Sequence, residues 1–105
     1  MNLTISNLSW DFSDNELITK LLKKKKISFI EFSLDLLLNN NFKKNNKLKI
    51  KKFWDSKSIK LYSMQSILYN IKNAYLFGNS KQRKNFLEEI KKKINLSKYF
   101  GTKII

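Results

Sequence analysis

The sequence predicts an α/β fold in which short parallel strands alternate with helices, and three observations point to it. Apolar, β-branched and aromatic runs recur near residues 2–7, 27–33, 59–63 and 102–105. Stretches of helical periodicity lie between them. The run Ile27–Ser33 is apolar on both faces apart from Glu31 and the serines, the pattern of a strand covered by helices, as parallel strands are. Right-handed crossovers gather a β-α-β-α-β-α-β series of this kind into one parallel sheet.

In order, Leu3 and Ile5 alternate with polar residues in the first strand, which leads into Ser6-Asn7-Leu8-Ser9-Trp10. Ser13 stands three residues before Glu16, the spacing of a capping box, and Phe12 and Leu17 are placed for a hydrophobic staple. Leu17, Ile18, Leu21 and Leu22 then recur on one helical face, and Lys23–Lys26 put positive charge at the end, where the helix dipole favours it. After the second strand, residues 35–46 form a less regular, Asn-rich connection. Leu48, Ile50, Phe53 and Trp54 predict a helix over Asn46–Asp55.

The third strand, Ile59–Ser63, passes without Pro or Gly into Met64-Gln65-Ser66, as a buried strand does when its carboxyl end opens into a pocket. Met64–Asn79 reads as a long loop, with a turn of helix near 67–71, and loops of that length tend to be functional. A helix over Ser80–Phe100 follows, capped by Asn79 with Gln82 in the reciprocal position. Its expected apolar face is Phe86, Leu87, Ile90, Ile94 and Phe100, and Gly101 is its left-handed stop. Thr102-Lys103-Ile104-Ile105 opens a fourth strand with no helix behind it. The expectation is an incomplete domain, truncated in that strand. A small self-contained α/β domain is the alternative.

At 105 residues the chain makes one domain or part of one. It has no cysteine and no histidine, which excludes disulfides, cysteine-rich zinc sites and a Ser-His-Asp triad. Catalysis would fall to carboxylates, lysines, tyrosines or hydroxyls. The formal charge of +14 invites a nucleic-acid reading. Yet Arg83 is the sole arginine, whereas base readout and bidentate phosphate contacts favour arginine. Lys, Asn and Ile make up 46 of the 105 residues, a bias that a genome rich in A and T explains at all three types together. No apolar run approaches the ~20 residues of a bilayer span, and the N-terminus lacks the basic and apolar regions of a signal peptide. A cytoplasmic protein without a membrane partner is expected.

Ligands of parallel α/β folds bind at the carboxyl ends of the strands. The candidates there are Asn7 and Trp10 after the first strand, Glu31 and Ser33 on the second, and Met64, Gln65 and Ser66 after the third. Glu31 is the sharpest, because a carboxylate in an apolar strand is costly to bury without a cation, a metal or hydrogen-bond donors. Parity puts Glu31 with Phe29 and Ser33, and Gln65 with Ser63 and Leu61. If both sets face a pocket, a carboxylate and an amide converge, suiting a hydroxyl-rich ligand. Trp10 reads more readily as a core or rim aromatic than as a stacking platform. Gly78 and Gly101 lie in no phosphate-binding glycine motif, which argues against a nucleotide-binding unit.

Ile5-Ser6-Asn7-Leu8-Ser9-Trp10, Phe29-Ile30-Glu31-Phe32 and, most specifically, Tyr62-Ser63-Met64-Gln65-Ser66-Ile67-Leu68-Tyr69 resemble the opening strands of a sugar phosphate isomerase/epimerase. That family belongs to the xylose isomerase-like TIM-barrel superfamily, which also holds apurinic endonucleases of the endonuclease IV type. The resemblance implies the N-terminal part, about half, of a (β/α)8 TIM barrel, acting on a small-molecule sugar or sugar phosphate. It implies that Glu31 matches the glutamate closing strand two and that Gln65 is presented to the pocket by strand three. It also implies a divalent metal in the full-length protein, held by Glu, Asp and His of later strands and not by residues 1–105, so that this fragment is inactive alone. Relatives often carry Ala-Pro after the strand-two glutamate, where this chain has Phe32-Ser33 and no proline anywhere. An endonuclease IV-like enzyme on nucleic acid and a small basic nucleic-acid-binding module are the alternatives.

Overall fold

The computed structural model describes residues 3–38, 44–69 and 71–105, the side chains at 44 and 45 excepted. Three parallel strands, β1 (Thr4–Ser6), β2 (Phe29–Ser33) and β3 (Lys60–Gln65), pair in the order β1-β2-β3. Four helices connect or follow them: α1 (Asn15–Lys24), α2 (Leu34–Leu37), α3 (Lys44–Ser56) and α4 (Ser80–Phe100). The fold is therefore α/β, as the alternation predicts. The expected fourth strand is reduced to a single parallel bridge, Ser63 to Ile104, beside β3. Met64 N–H donates to the Ile104 carbonyl at 2.9 Å, and Lys103 N–H donates to that of Tyr62 at 2.9 Å.

Because each strand is followed in space by the next in sequence, every crossover returns on the same side of the sheet. Every helix accordingly feeds one core. Leu22 of α1, Leu34 and Leu37 of α2, Trp54 of α3, and Leu96 and Phe100 of α4 enclose Ile30, Phe32, Leu61 and Met64 of the sheet. Phe32 and Phe100 meet edge to face at 6.1 Å, an arrangement that adds to their area burial. Trp54, Phe32 and Ile30 are the largest fully enclosed side chains.

The ends of α4 form as their residues specify. Asn79 Oδ1 accepts from the Gln82 N–H, and Gln82 Oε1 accepts from the Asn79 N–H, both at 2.9 Å. Gly78 leaves room for this box, since a Cβ there would press on Gln82 Oε1 and lie 2.8 Å from Gln82 Cβ. Gly101 stops the helix with φ 71°, a conformation that glycine adopts without a Cβ clash.

The start of α1 departs from expectation. The box at Ser13 and Glu16 does not form; a 3-10 turn over Phe12–Asp14 precedes the helix, and Asp14 caps it without a side-chain bond. Asn15 is held instead by Trp10, whose Nε1–H donates to Asn15 Oδ1 at 2.8 Å. Glu16 pairs with Lys57 at 3.0 Å. The proposed staple is open, with Leu17 67% exposed.

Two helix faces are also turned from where periodicity put them. On α1 the inward side is Ile18 and Leu22, while Leu17 and Leu21 face outward. On α4 Leu87 and Ile94 are exposed, and Lys93, Leu96, Ser97 and Phe100 are buried. Both helices carry more apolar residues than one stripe holds, so the sheet they meet selects the stripe. The helix expected over Asn46–Asp55 forms as α3, but residues 39–43 and Asn70, within the two expected irregular connections, lie outside the described residues. The turn of helix expected near 67–71 gives two tight turns, with Tyr69 N–H bonded to Ser66 O and Ile71 N–H to Leu68 O, each at 3.0 Å.

These caps give a paired expectation for chemical denaturation. Asn79→Ala removes a working cap and lowers stability by about 1 kcal/mol, whereas Ser13→Ala changes it by less than about 0.5 kcal/mol. Equal losses at the two positions would contradict the assignment. In the same assay Leu22→Ala lowers stability by roughly 2–5 kcal/mol, and Leu17→Ala, on the outward side, leaves it within about 0.5 kcal/mol.

Candidate functional site at the open face of the sheet

The face of the sheet turned away from the core is polar toward its carboxyl end. Its centre is a row across the sheet: Ser6 is the register partner of Glu31, and Glu31 of Ser63. Straight alternation along β3 would put Leu61 on this face with Ser63 and Gln65. The structure corrects that. Ile30 pairs with Leu61 but Glu31 pairs with Ser63, so Tyr62 is an extra residue and β3 carries a bulge. Leu61 thereby joins Ile30 in the core, while Ser63 and Gln65 share the face of Glu31. Tyr62 meets Phe29 edge to face at 5.2 Å and forms the floor below the polar row. Bulges commonly re-aim side chains beside functional sites.

Glu31 is half-buried, and Ser63 Oγ donates to its Oε1 at 3.4 Å. Among the described residues no lysine or arginine pairs with it. The Gln65 amide reaches across β2, and its Nε2–H donates to Ser6 Oγ at 2.5 Å. The structure thus brings Glu31 and Gln65 together on one face, each bonded to a different serine, Glu31 to Ser63 and Gln65 to Ser6. Ser6 is the residue that inspection of the strand ends overlooks. Its hydroxyl also accepts from the Leu8 N–H at 3.2 Å, starting a 3-10 turn over Asn7–Ser9. The signal was its parity with Glu31, which only the sheet register reveals.

The other candidates stand apart from that row. Asn7 is buried and its amide is fully engaged by β2: Oδ1 accepts from the Ser33 N–H at 2.8 Å, and Nδ2–H donates to the Ser33 carbonyl at 3.2 Å. The side chain extends the β1–β2 ladder one step beyond the point where the β1 backbone turns away. Trp10 packs against the core with its indole N–H on Asn15. Ser66 is exposed at the rim, with φ 54°. That left-handed conformation costs a residue with a Cβ roughly 1 kcal/mol, and strain of this kind gathers at functional ends of strands.

Glu31 is the one acidic side chain on the three strands. Among the described residues no three carboxylates come together. The donor set on this face does not fit a divalent metal site, and no step is assigned to one. A hollow of about 440 Å³ bordered by Phe12, Leu37, Ile50, Phe53 and Trp54 lies elsewhere, between α1 and α3. No described helix is long and apolar enough to cross a membrane. Comparison with models of protein families, with curated proteins and with solved structures gave no match.

Asn7 and Glu31 separate structural from functional polarity in a stability assay. Asn7→Ala leaves the buried Ser33 N–H without its partner, takes one of the bonds to its carbonyl, and lowers stability by roughly 1–3 kcal/mol. Glu31→Gln keeps the size and the bond to Ser63 and leaves stability within about 0.5 kcal/mol. A large loss with Glu31→Gln would make Glu31 a structural group.

Proposed function

We propose that the strands and helices form the opening part of a (β/α)8 barrel and that the polar sheet face binds a sugar or sugar phosphate, as in an isomerase or epimerase. Glu31 carries this proposal. It is a half-buried carboxylate without a cationic partner among the described residues, set in the middle of a parallel strand, level with the carboxyl end of β1, between Ser6 and Ser63. Carboxyl ends are where parallel α/β sheets bind ligands. The strand order supports the barrel: β1, β2, β3 and then Ile104 follow one another without the reversal of a doubly wound sheet.

In this proposal Glu31 accepts hydrogen bonds from sugar hydroxyls, Gln65 and Ser63 hold the neighbouring hydroxyls, and Ser66 shapes the rim. Proton transfer in an isomerase or epimerase needs a base, and on these strands that role falls to Glu31.

The test is binding followed by amide NMR, using ribose 5-phosphate, glucose 6-phosphate and the two parent sugars. Saturable shifts at Ser6, Glu31, Ser63 and Gln65, produced by the parent sugars as well as their phosphates, are expected. Glu31→Gln weakens them by about tenfold or more, the effect of removing a charged acceptor. If no sugar moves these amides, the proposal fails. If a duplex with an abasic site moves them instead, the nucleic-acid enzymes of the same fold become the better comparison.

A further inference from the structure

We infer that the groove between α3 and α4 is a binding site for a dianionic phosphate group, with Lys93 as its central cation. This rests on a region separate from the sheet face and independent of the function proposed for it. Lys93 occupies the inward stripe of α4, one turn before Leu96 and two before Phe100, where an apolar residue would ordinarily sit. It is 9% exposed, yet forms neither a hydrogen bond nor an ion pair with any described residue. Its carbon stem is covered by the helix packing, while its ammonium is not among the enclosed unpartnered groups and stays open to a counter-charge in the groove that Lys93 borders.

The surroundings supply a place for that counter-charge. Lys93 borders a hollow of about 450 Å³ together with Lys47, Glu89, Lys92, Asn95 and Leu96, a size suited to a small molecule. Lys47 comes from α3 and is held against α4 by its contact with the Tyr99 ring, 4.5 Å from the ammonium. Glu89 accepts from Lys92 at 2.7 Å, and this bond raises the Lys92 pKa above the ordinary lysine value. Three ammonium groups against one carboxylate leave two positive charges, which a phosphate dianion neutralises and a carboxylate does not. Lysine serves phosphate as a point charge, and the exposed Asn95 amide adds a neutral donor. A single hollow lined from two helices fits a compact phosphate, free or on a small metabolite, better than a polyanion that needs a continuous track.

The experiment titrates the protein with inorganic phosphate, and separately with glycerol 3-phosphate, at ionic strength held constant with sodium chloride. Amide shifts and the thermal midpoint are read together. The expected result is saturable shifts confined to residues near 47 and 89–96, with a rise in the midpoint. Lys93→Met weakens binding by about tenfold or more, and without phosphate it unfolds no earlier than the unaltered protein. Lys47→Gln, at a partly exposed position, gives a severalfold loss and serves as a second test should Lys93→Met not fold. Unsaturable shifts spread over the surface lysines would overturn the site, as would an equal response in Lys93→Met. So would a single-stranded oligonucleotide that produces these shifts when phosphate does not.

Discussion

Parallel pairing of sequence neighbours is the constraint from which the rest of this structure follows. When β1, β2 and β3 hydrogen-bond in order and all run the same way, each connection must travel back across the sheet, and chain handedness sends it over the same face. That face acquires every helix and the whole apolar core, from Leu22 to Phe100. The opposite face receives no described helix, and the residues that tolerate this are Ser6, Glu31, Ser63 and Gln65. The apolar pair Phe29 and Tyr62 closes the floor beneath them. Core and candidate site are thus two sides of one ladder, separated by the thickness of a backbone.

Polar groups near the sheet divide into two kinds. Asn7 behaves as a piece of main chain, its amide replacing the strand neighbour that Ser33 loses when β1 turns off. All of its bonding is internal. Glu31 and Gln65 are linked more loosely, each to a single serine, and one carboxylate oxygen of Glu31 makes no bond to a described residue. The Ser6–Gln65 contact also ties the first strand to the third across the second. It holds the face in shape without using the Glu31 carboxylate.

What could be read from the sequence was what depends on neighbours a few residues away. Asn79, Gln82 and Gly101 specify the ends of α4 by local bonds and backbone geometry, and the structure keeps all three. Ser13 and Glu16 have the same spacing signal, but Trp10 captures Asn15 and Lys57 draws Glu16 away, so tertiary partners override the local box. The buried sides of α1 and α4 escaped periodicity because Leu17 with Leu21, and Leu87 with Ile94, form apolar rows as plausible as those that pack. The strands' polar ends were legible at Glu31 and Gln65. Ser6 was not, because its partnership with them exists only in the register between strands.

The bulge at Tyr62 divides β3 into two lengths. Leu61 before it and Met64 after it both answer to the packing of the core, and Ser63 and Gln65 answer to whatever occupies the polar face. Were Tyr62 instead taken into regular pairing with β2, every residue after it would change sides. Ser63 and Gln65 would then point into the core and Met64 out of it.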